Sequence, residues 1–271
     1  MQLSRPARIA LRVAAGLGFA VIYVPLVLVL VNSLNPDRSA SWPPPGLTPH
    51  WWSVAWENSG ARAALWTSVK AGLGATATAL VLGTLIAFAV ARHRFFGRNA
   101  LSFVVVLPIA LPGIVTGIAL NSAFSTVLEP LGVGLGLFTV VVGHATFCIV
   151  IVFNNVVARL RRTSGSYEEA AMDLGANTFR AFVDITFPLV RSALLAGALL
   201  AFALSFDEIV VTTFTAGPGV QTLPLWIFDN MTRPQQAPVV NVVAAVLVLL
   251  SVIPIYVAQR LSADTPTGGR V

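Results

Sequence analysis

Six long apolar segments dominate this chain and restrict it to folds that a lipid bilayer can accommodate. Each approaches the ~20 apolar residues that a helix needs to cross the hydrocarbon core. Because a spanning segment must satisfy its own backbone hydrogen bonds, and because these runs are far longer than barrel strands, we predict an all-α integral membrane protein with six transmembrane helices. The segments extend approximately over Ile9–Leu34, Val69–Ala91, Ala100–Phe124, Leu137–Ala158, Leu189–Phe214 and Val239–Ala258.

The composition also indicates that lipid surrounds this protein. Hydrophobic residues make up 56% of the chain and charged residues only 10%, whereas ordinary soluble domains carry ~25% charged residues. A soluble fold of this composition could not cover its own surface with polar groups. The first segment follows three arginines, as a secretory signal does, but its apolar run is too long and no small-residue cleavage site follows it. We therefore expect this first helix to be retained.

The positive charges predict the orientation of the chain in the membrane. Thirteen of the 17 lysines and arginines flank one set of helix ends. The positive-inside rule then places both the N-terminus and the C-terminus in the cytoplasm. The net charge of +6 follows from this topology, and no soluble basic face is available for nucleic acid. The thirteen are Arg5, Arg8, Arg12, Arg92, Arg94, Arg98, Arg159, Arg161, Arg162, Arg180, Arg191, Arg260 and Arg270, and the other four are Arg38, Arg62, Lys70 and Arg233.

Three regions follow from this pattern. Residues 1–60 hold the first helix and an outer loop, residues 61–258 form a five-helix core with a cytoplasmic loop at 159–188, and residues 259–271 form a tail. The second helix is rich in glycine and alanine, which predicts close packing inside a bundle. Pro108 and Pro112 should kink or partly unwind the third helix, either as the wall of a pathway or as a packing kink.

The loop at 159–188 is charged and patterned, although it connects two apolar helices. A short helix is predicted around Glu169, and Gly175 can end it in a left-handed conformation. Phe179 and Phe182 follow at helical spacing, and Pro188 suits the first turn of the next membrane helix. This arrangement is typical of a segment that docks onto another protein.

No catalytic, metal-binding or cofactor-binding set is predicted within the chain itself. The only lysine, Lys70, lacks the glycine framework of a nucleotide-binding loop. The single cysteine, Cys148, allows no disulfide within the chain, and we expect it to be a buried packing residue. His144 is expected to be a hydrogen-bonded residue of the helix bundle rather than a ligand. We therefore predict a non-catalytic protein that takes its energy from a partner.

The 159–188 loop resembles the signature loop of ABC importer permeases. The matching residues are Glu169, Ala170, Ala171, Gly175, Ile185 and Pro188, with Phe187 in place of a leucine. The resemblance implies the type I importer fold and a location in the bacterial cytoplasmic (inner) membrane. It also implies a heterodimer with a second permease subunit, contact with membrane lipid, and a periplasmic or lipid-anchored solute-binding protein. Two ATP-binding subunits, which bind ATP and Mg, would dock on the loop around Glu169.

Two adjacent acids interrupt the fifth apolar segment. Only fourteen apolar residues precede Asp207 and Glu208, so we expect the helix to continue past both acids. An ionisable group within the membrane costs several kcal/mol unless it faces protein or water. Adjacent helical residues point ~100° apart, which predicts that one acid lines a pathway while the other pairs with a neighbouring helix. The alternative is that both acids cap a helix end at the outer rim.

The run from Ser205 to Phe214 is similar to the spermidine/putrescine permease subfamily, in its second permease subunit. The resemblance implies that Ser205, Asp207 and Glu208 lie on the substrate path. Aromatic rings next to anions suit a cationic substrate, so Trp51 and Trp52 in the outer loop are possible contributors, although interfacial anchoring is the alternative for both.

The substrate stays open at this point. Gly113 stands where some members of the subfamily carry an acid, so related permeases for aminoethylphosphonate or ferric iron remain alternatives to a polyamine importer. From other classes, the alternatives are a component of a secondary transporter, driven by protons through Asp207 or Glu208, and a membrane scaffold without transport.

Overall fold

The computed structural model describes residues 4–38 and 41–263, and every regular element within those ranges is helical. A 3-10 turn covers Glu129–Leu131 and a π-helical segment covers Phe182–Thr186. The α-helices are α1 Arg5–Asn32, α2 His50–Glu57, α3 Ser59–Arg92, α4 Arg98–Ala110, α5 Gly113–Val127, α6 Leu137–Arg161, α7 Ser166–Asp173, α8 Thr178–Ala181, α9 Phe187–Phe206, α10 Val210–Thr215, α11 Leu223–Asn230 and α12 Ala237–Ala263.

Helices cover most of the six predicted apolar segments, which confirms the all-α prediction. Five helical stretches among the described residues are long and apolar enough to cross a membrane, and α12 contributes a shorter apolar stretch over Ala237–Leu250. The five are Arg5–Asn32, Ser59–Arg92, Gly113–Leu131, Leu137–Arg161 and Thr178–Phe206.

The third apolar segment is divided between α4 and α5, as its prolines predict. Leu111 has an extended backbone, with φ −81° and ψ 145°. This is the conformation that a residue before proline prefers, because the ring of Pro112 clashes with a helical predecessor. The helix therefore stops at Ala110 and begins again at Gly113.

The fifth apolar segment departs from its prediction. We expected one helix to pass through Asp207 and Glu208, and this is wrong, because α9 ends at Phe206 and α10 begins only at Val210. The Glu208 side chain accepts a hydrogen bond from the backbone N–H of Val211 at 2.7 Å. This bond satisfies a donor at the start of α10, which has no earlier carbonyl to bond to. A carboxylate that can cap a new helix thus competes locally with continuation of the old one.

The chain divides into two compact units. One contains Met1–Arg62 and Ile227–Val271, where α12 packs against α1 and α2. The other is Ala63–Trp226, where α6 packs against α9 and α10 packs against α5. The three regions predicted from the sequence stay a prediction, and residues 264–271 of the predicted tail lie outside the described residues.

The core of the Ala63–Trp226 unit forms around α6, and small residues of α3 permit its close packing. Ala71, Ala75 and Ala79 of α3 are fully buried. At Gly83, an added Cβ atom would lie 2.9 Å from the carbonyl oxygen of Ile149 in α6. The prediction that the glycine- and alanine-rich helix packs inside a bundle is therefore confirmed. In this packing the two backbones approach too closely for a side chain at Gly83.

Candidate functional site

The predicted functional residues of the Ala63–Trp226 unit fall into two places. The first is the α6–α9 loop, residues 162–186, which contains α7, α8 and the π-helical segment. The second is the acidic break, residues 207–209, which separates α9 from α10. Trp51 and Trp52 belong to the other compact unit.

The α6–α9 loop begins with a short helix, α7, whose end is fixed by Gly175. Gly175 has φ +91°, a left-handed conformation that costs other residues free energy. Its N–H donates to the carbonyl of Met172 at 2.9 Å, and the N–H of Ala176 donates to the carbonyl of Ala171 at 3.0 Å. These two bonds form a Schellman motif. The predicted left-handed helix end at Gly175 is confirmed.

The outer face of α7 combines acidic side chains with small and large apolar ones. Glu169 and Ala170 are exposed, and Ala171 is half-buried. Two large apolar side chains near them are strongly exposed, since Leu174 keeps 90% and Tyr167 keeps 59% of its surface accessible. Exposed apolar groups gathered around a charge are typical of a surface that contacts another protein.

The loop leads into α9 through the π-helical segment, and Pro188 explains why the helix widens there. Proline has no backbone N–H and its ring collides with the carbonyl four residues earlier, which is that of Asp184. One turn of π-helix over Phe182–Thr186 relieves this conflict, and the N–H of Phe187 donates to the carbonyl of Phe182. Ile185 is half-buried in this segment and Pro188 is exposed in the first turn of α9.

Glu168, the residue before the predicted docking acid, holds α7 to the rest of the unit. Its Oε1 atom accepts a hydrogen bond from Nη2 of Arg92 at 3.0 Å and another from the hydroxyl of Thr186 at 2.8 Å. Nη1 of Arg92 donates to the carbonyl of Thr163 at 3.1 Å. Arg92 is the last residue of α3 and Thr186 the last of the π-helical segment. One carboxylate therefore joins three elements.

At the acidic break the two carboxylates have different surroundings. Asp207 is exposed, whereas Glu208 is half-buried with Oε1 bonded to the start of α10. The predicted division of roles, with one acid on a pathway and the other paired with a neighbouring helix, stays a prediction. The bond from Val211 agrees, for Glu208 alone, with the alternative in which both acids cap a helix end.

His144 of α6 bonds to one residue before the acidic break and to one residue after it. It is fully buried, and its ring nitrogens lie 2.7 Å from the Ser205 hydroxyl and 2.8 Å from the Thr212 hydroxyl. Thr212 donates its single hydroxyl proton to the carbonyl of Glu208 at 2.9 Å, so it accepts from Nε2 of the histidine. In a neutral ring, Nδ1 then accepts from Ser205 and the proton lies on Nε2. These bonds confirm that His144 is a hydrogen-bonded bundle residue.

The far end of α10 is held by side chains of two other helices. Asn121 of α5 donates to the carbonyl of Phe214 at 2.7 Å. Thr139 of α6 lies 2.7 Å from the carbonyl of Thr215 and donates to it. Helix ends leave carbonyls without intrahelical partners, so these two contacts satisfy groups that would otherwise be buried and unpaired. The short helix after the acidic break is thus fixed at both ends.

Trp51 and Trp52 lie on α2 in the unit formed by Met1–Arg62 and Ile227–Val271. Both are half-buried, and the guanidinium carbon of Arg38 lies 5.8 Å from the centroid of the Trp51 ring. A cation at this distance is attracted by the negative face of the indole. The guanidinium of Arg38 therefore already occupies this position over the Trp51 ring.

Comparison with known proteins identifies the family. The model of the family described as "Binding-protein-dependent transport system inner membrane component" matches residues 79–264. This range contains both the α6–α9 loop and the acidic break. The chain belongs to this family. It is therefore a permease of the ABC importer type, a membrane subunit without catalytic activity of its own.

Several curated relatives resemble the permease over most of its length. It is 33% identical over 235 residues to the putrescine transport system permease protein PotI of Escherichia coli strain K12, covering 85% of this chain and 83% of the relative. It is also 33% identical over 251 residues to the spermidine/putrescine transport system permease protein PotC of the same strain, covering 92% of each. A putative 2-aminoethylphosphonate transport system permease protein, PhnV of Salmonella typhimurium strain LT2, is 29% identical over 262 residues, with 92% of this chain and 96% of the relative covered.

A solved structure agrees with the fold of the permease. The crystal structure of a bacterial ABC transporter involved in the import of the acidic polysaccharide alginate matches with a TM-score of 0.73. The match covers 98% of this chain and 100% of the other, at 18% sequence identity. At that identity the likeness concerns the fold alone, and it supports the type I importer architecture.

Sequence reasoning missed several side chains that shape the two places in the permease. Arg92 and Glu168 lie 76 positions apart, and Asn121 lies 93 positions before its partner Phe214. Polar residues at helix ends are common, so no local pattern shows which distant group each of them meets. Among residues 4–38 and 41–263, no group of three or more His, Cys, Asp or Glu side chains is arranged to hold a metal ion, and Cys148 is buried.

Proposed function

We propose that this permease is one of two different membrane subunits of a polyamine importer in the bacterial cytoplasmic membrane, and that its cargo is a small cationic solute such as putrescine or spermidine. Both termini lie in the cytoplasm, with the α6–α9 loop on the same side. Two ATP-binding subunits bind ATP and Mg and dock on that loop, while a solute-binding protein delivers the cargo from the outer side. The observation that carries the substrate class is the 33% identity, over 85% and 92% of this chain, to permeases named for putrescine and spermidine.

The docking role of the α6–α9 loop rests on the exposed face of α7. Glu169 offers a carboxylate to an arginine or to backbone donors of an ATP-binding subunit, and Ala170 beside it is small enough to permit close approach. Leu174, with 90% of its surface accessible, supplies the apolar contact that such an interface needs. Gly175 ends the helix abruptly, so that α7 presents a compact element.

A charge reversal tests the docking role. In Glu169→Lys, an interfacial charge pair becomes a repulsive one, and leaving a partner charge unpaired at an interface costs about 2–5 kcal/mol. We expect the ATP-binding subunits to be lost on purification and uptake to fall at least about tenfold, the change that 1.4 kcal/mol produces. Glu129→Lys reverses an exposed acid outside the α6–α9 loop and serves as the matched control. ATP-binding subunits that stay bound to Glu169→Lys, together with uptake that ignores ATP depletion, would falsify the docking role.

The substrate role is assigned to the acidic break. The exposed carboxylate of Asp207 is available to an amine, and Glu208 adds negative charge one residue away although one of its oxygens caps α10. The Ser205 hydroxyl bonds to the buried His144 ring, and this contact orients the end of α9 next to the acidic break. Trp51 and Trp52, in the other compact unit, are proposed separately to offer aromatic rings to a cationic cargo, as Trp51 does to the guanidinium of Arg38.

Removal of the carboxylate charges tests the substrate role. Opposite charges a few ångströms apart attract by several kcal/mol at the dielectric typical of a protein surface. We therefore expect Asp207→Asn to reduce putrescine uptake by at least about tenfold, while the subunits still assemble. Glu129→Gln removes an exposed carboxylate outside the acidic break and the α6–α9 loop, and is the control. Normal uptake by the double variant Asp207→Asn with Glu208→Gln would remove the substrate assignment and favour a scaffold without transport.

A second candidate cargo is 2-aminoethylphosphonate, because the relative named for it covers 92% of this chain. It shares an amine with the polyamines but also carries an anionic group, which two adjacent carboxylates would repel. Competition separates the two cargoes. Excess spermidine should block labelled putrescine uptake and excess 2-aminoethylphosphonate should not, and the reverse result would favour the phosphonate.

A further inference from the structure

We propose that Glu168 is the positioning residue through which movement of α7 reaches the membrane helices α3 and α9. This inference rests on the proposed function, in which α7 docks on an ATP-binding subunit. It adds a second acid with a different task beside Glu169. Glu169 faces the partner, whereas Glu168 connects the docked helix to the rest of the permease.

Glu168 contacts one element that precedes α7 in the chain and one that follows it. Arg92, which pairs with Glu168 at 3.0 Å, ends a helix of 34 residues. Thr186, which donates to the same oxygen at 2.8 Å, ends the π-helical segment from which α9 continues. Thr186 is buried with 3% of its surface accessible, so its hydroxyl has little access to water in place of this carboxylate.

The ion pair between Arg92 and Glu168 is partly shielded from water and can therefore transmit a displacement of α7. The side chains of Arg92 and Glu168 keep only 17% and 25% of their surface accessible. By comparison, the pair between Arg180 and Asp184 in the same loop is 3.5 Å long, with 76% and 61% accessible. Exposed ion pairs of that kind contribute little to stability, because water and salt ions replace their contacts readily. Breaking a shielded pair leaves a charge without compensation and costs more.

The route from Glu168 leads directly to the acidic break. The helical stretch Thr178–Phe206 is continuous in its course from α8 through the π-helical segment to α9. Its first part carries Thr186, and Asp207 follows its last residue. A shift of α7 that pulls on Thr186 therefore acts on the same helix that ends at the proposed substrate contact. π-Helical turns within α-helices are often found where a helix must adjust during function.

The two adjacent carboxylates have separate directions. Neighbouring residues on a helix point ~100° apart, and this places Glu169 on the exposed face of α7 while Glu168 turns toward Arg92 and Thr186. A substitution at Glu169 should therefore weaken docking. A substitution at Glu168 should leave docking intact and weaken the transmission of movement. These two outcomes can be measured separately.

The test uses the complete importer in proteoliposomes, with ATP hydrolysis and putrescine uptake measured on the same preparation. Glu168→Gln keeps the shape of the side chain and removes its charge. We expect the ATP-binding subunits to remain bound and ATP hydrolysis to continue, while putrescine taken up per ATP falls about fivefold or more, the lower end of typical coupling between sites. Glu129→Gln, which removes an exposed carboxylate outside the α6–α9 loop, should stay within about twofold of the unmodified protein.

Two further variants keep the inference testable if Glu168→Gln assembles poorly. Thr186→Val removes the second contact without changing any charge, and should lower uptake per ATP in the same direction. The exchange of Arg92→Glu with Glu168→Arg restores an ion pair with reversed polarity, and should recover part of the uptake per ATP that either single change loses. A role limited to folding the loop predicts a different result, namely that uptake and ATP hydrolysis fall together and in proportion to the amount assembled.

Unchanged uptake per ATP in Glu168→Gln would overturn the inference, and so would a loss that only mirrors poor assembly and that the charge exchange does not recover. Failure of the proposed function has a separate signature. In that case the unmodified importer would show no uptake driven by ATP, or Glu169→Lys would keep its ATP-binding subunits, whatever the Glu168 variants do.

Discussion

The residue that best shows how polarity is accommodated in this protein is His144. A fully buried imidazole is stable only when both of its nitrogens have partners. Ser205 and Thr212 supply them from opposite sides of the acidic break, and Thr212 is in turn bonded to the carbonyl of Glu208. Through these side-chain hydrogen bonds, His144 connects the end of α9 to α10, where the backbone hydrogen bonds of a continuous helix are absent. His144 is best understood as part of the framework that places Asp207 and Glu208.

Replacement of His144 by leucine should destabilise the permease. The buried Ser205 hydroxyl would lose its partner and the Thr212 hydroxyl would lose one of two, and a buried polar group without a hydrogen bond costs about 1–3 kcal/mol. We expect a lower midpoint in thermal unfolding of the detergent-solubilised protein. Val140→Ala, one turn earlier along α6 and equally buried, is the control for loss of packing alone. The triple variant His144→Leu, Ser205→Ala and Thr212→Val should recover part of the loss, because it removes the unpaired groups together. Equal midpoints for His144→Leu and Val140→Ala would contradict this account.

Among the elements, the contact between α3 and α6 depends most directly on residue size. The hydrophobic effect does not favour helix association in lipid, so close van der Waals contact must supply the stabilisation. At Gly83 the two backbones are near enough that a methyl group would lie 2.9 Å from the Ile149 carbonyl oxygen and 3.1 Å from Cβ of Val152. Backbone atoms cannot turn aside as a flexible side chain can.

Gly83→Ala should therefore separate α3 from α6. Overpacking of a tight contact costs about 1–3 kcal/mol, which outweighs the gain of about 1 kcal/mol in helix propensity on replacing glycine by alanine. Gly16→Ala is the matched control, because it makes the same change in α1 with no atom within 4 Å of the new methyl group. We expect a lower unfolding midpoint for Gly83→Ala and an unchanged or higher one for Gly16→Ala. A rise in both would show that the contact relaxes without cost.

At the scale of elements, the sequence predicts what depends on local pattern. The apolar helices, the division at Pro112 and the left-handed end of α7 at Gly175 each follow from residues within one or two turns of each other. The end of α9 at Phe206 does not, because α10 is favoured by the cap from Glu208 together with Asn121 and Thr139 on other helices. A local pattern cannot weigh such contacts against the backbone bonds of a continuous helix.

The same limit applies to the candidate site. The sequence singles out Glu169 because its neighbours form a recognisable pattern, but it passes over Glu168. What distinguishes Glu168 is an arginine 76 positions earlier and a threonine 18 positions later. Only packing of the helices brings these groups to one oxygen atom. Polar residues that join elements are therefore found from the structure, even where docking residues are visible from the sequence.

For the whole molecule, the orientation in the membrane decides which partners can reach which surface. Thirteen of the 17 basic residues belong to helix ends that the positive-inside rule assigns to the cytoplasm. The proposed function requires the α6–α9 loop to be on that side, where ATP is available. It requires the segment around α2 to be on the other side, where a solute-binding protein arrives. The charge pattern thus predicts the same orientation that binding of the proposed partners requires.

Labelling of single cysteines tests this orientation with little background, because the native Cys148 is fully buried and should not react with a membrane-impermeant maleimide. Ser164→Cys places a thiol on the exposed α6–α9 loop and Glu57→Cys places one at the exposed end of α2. In intact spheroplasts we expect Glu57→Cys to be labelled and Ser164→Cys to be protected. Disruption of the membrane should expose Ser164→Cys, while the unmodified chain stays unlabelled throughout. If Ser164→Cys reacted from outside, the ATP-binding subunits could not reach α7, and the proposed docking and the role of Glu168 would both fail.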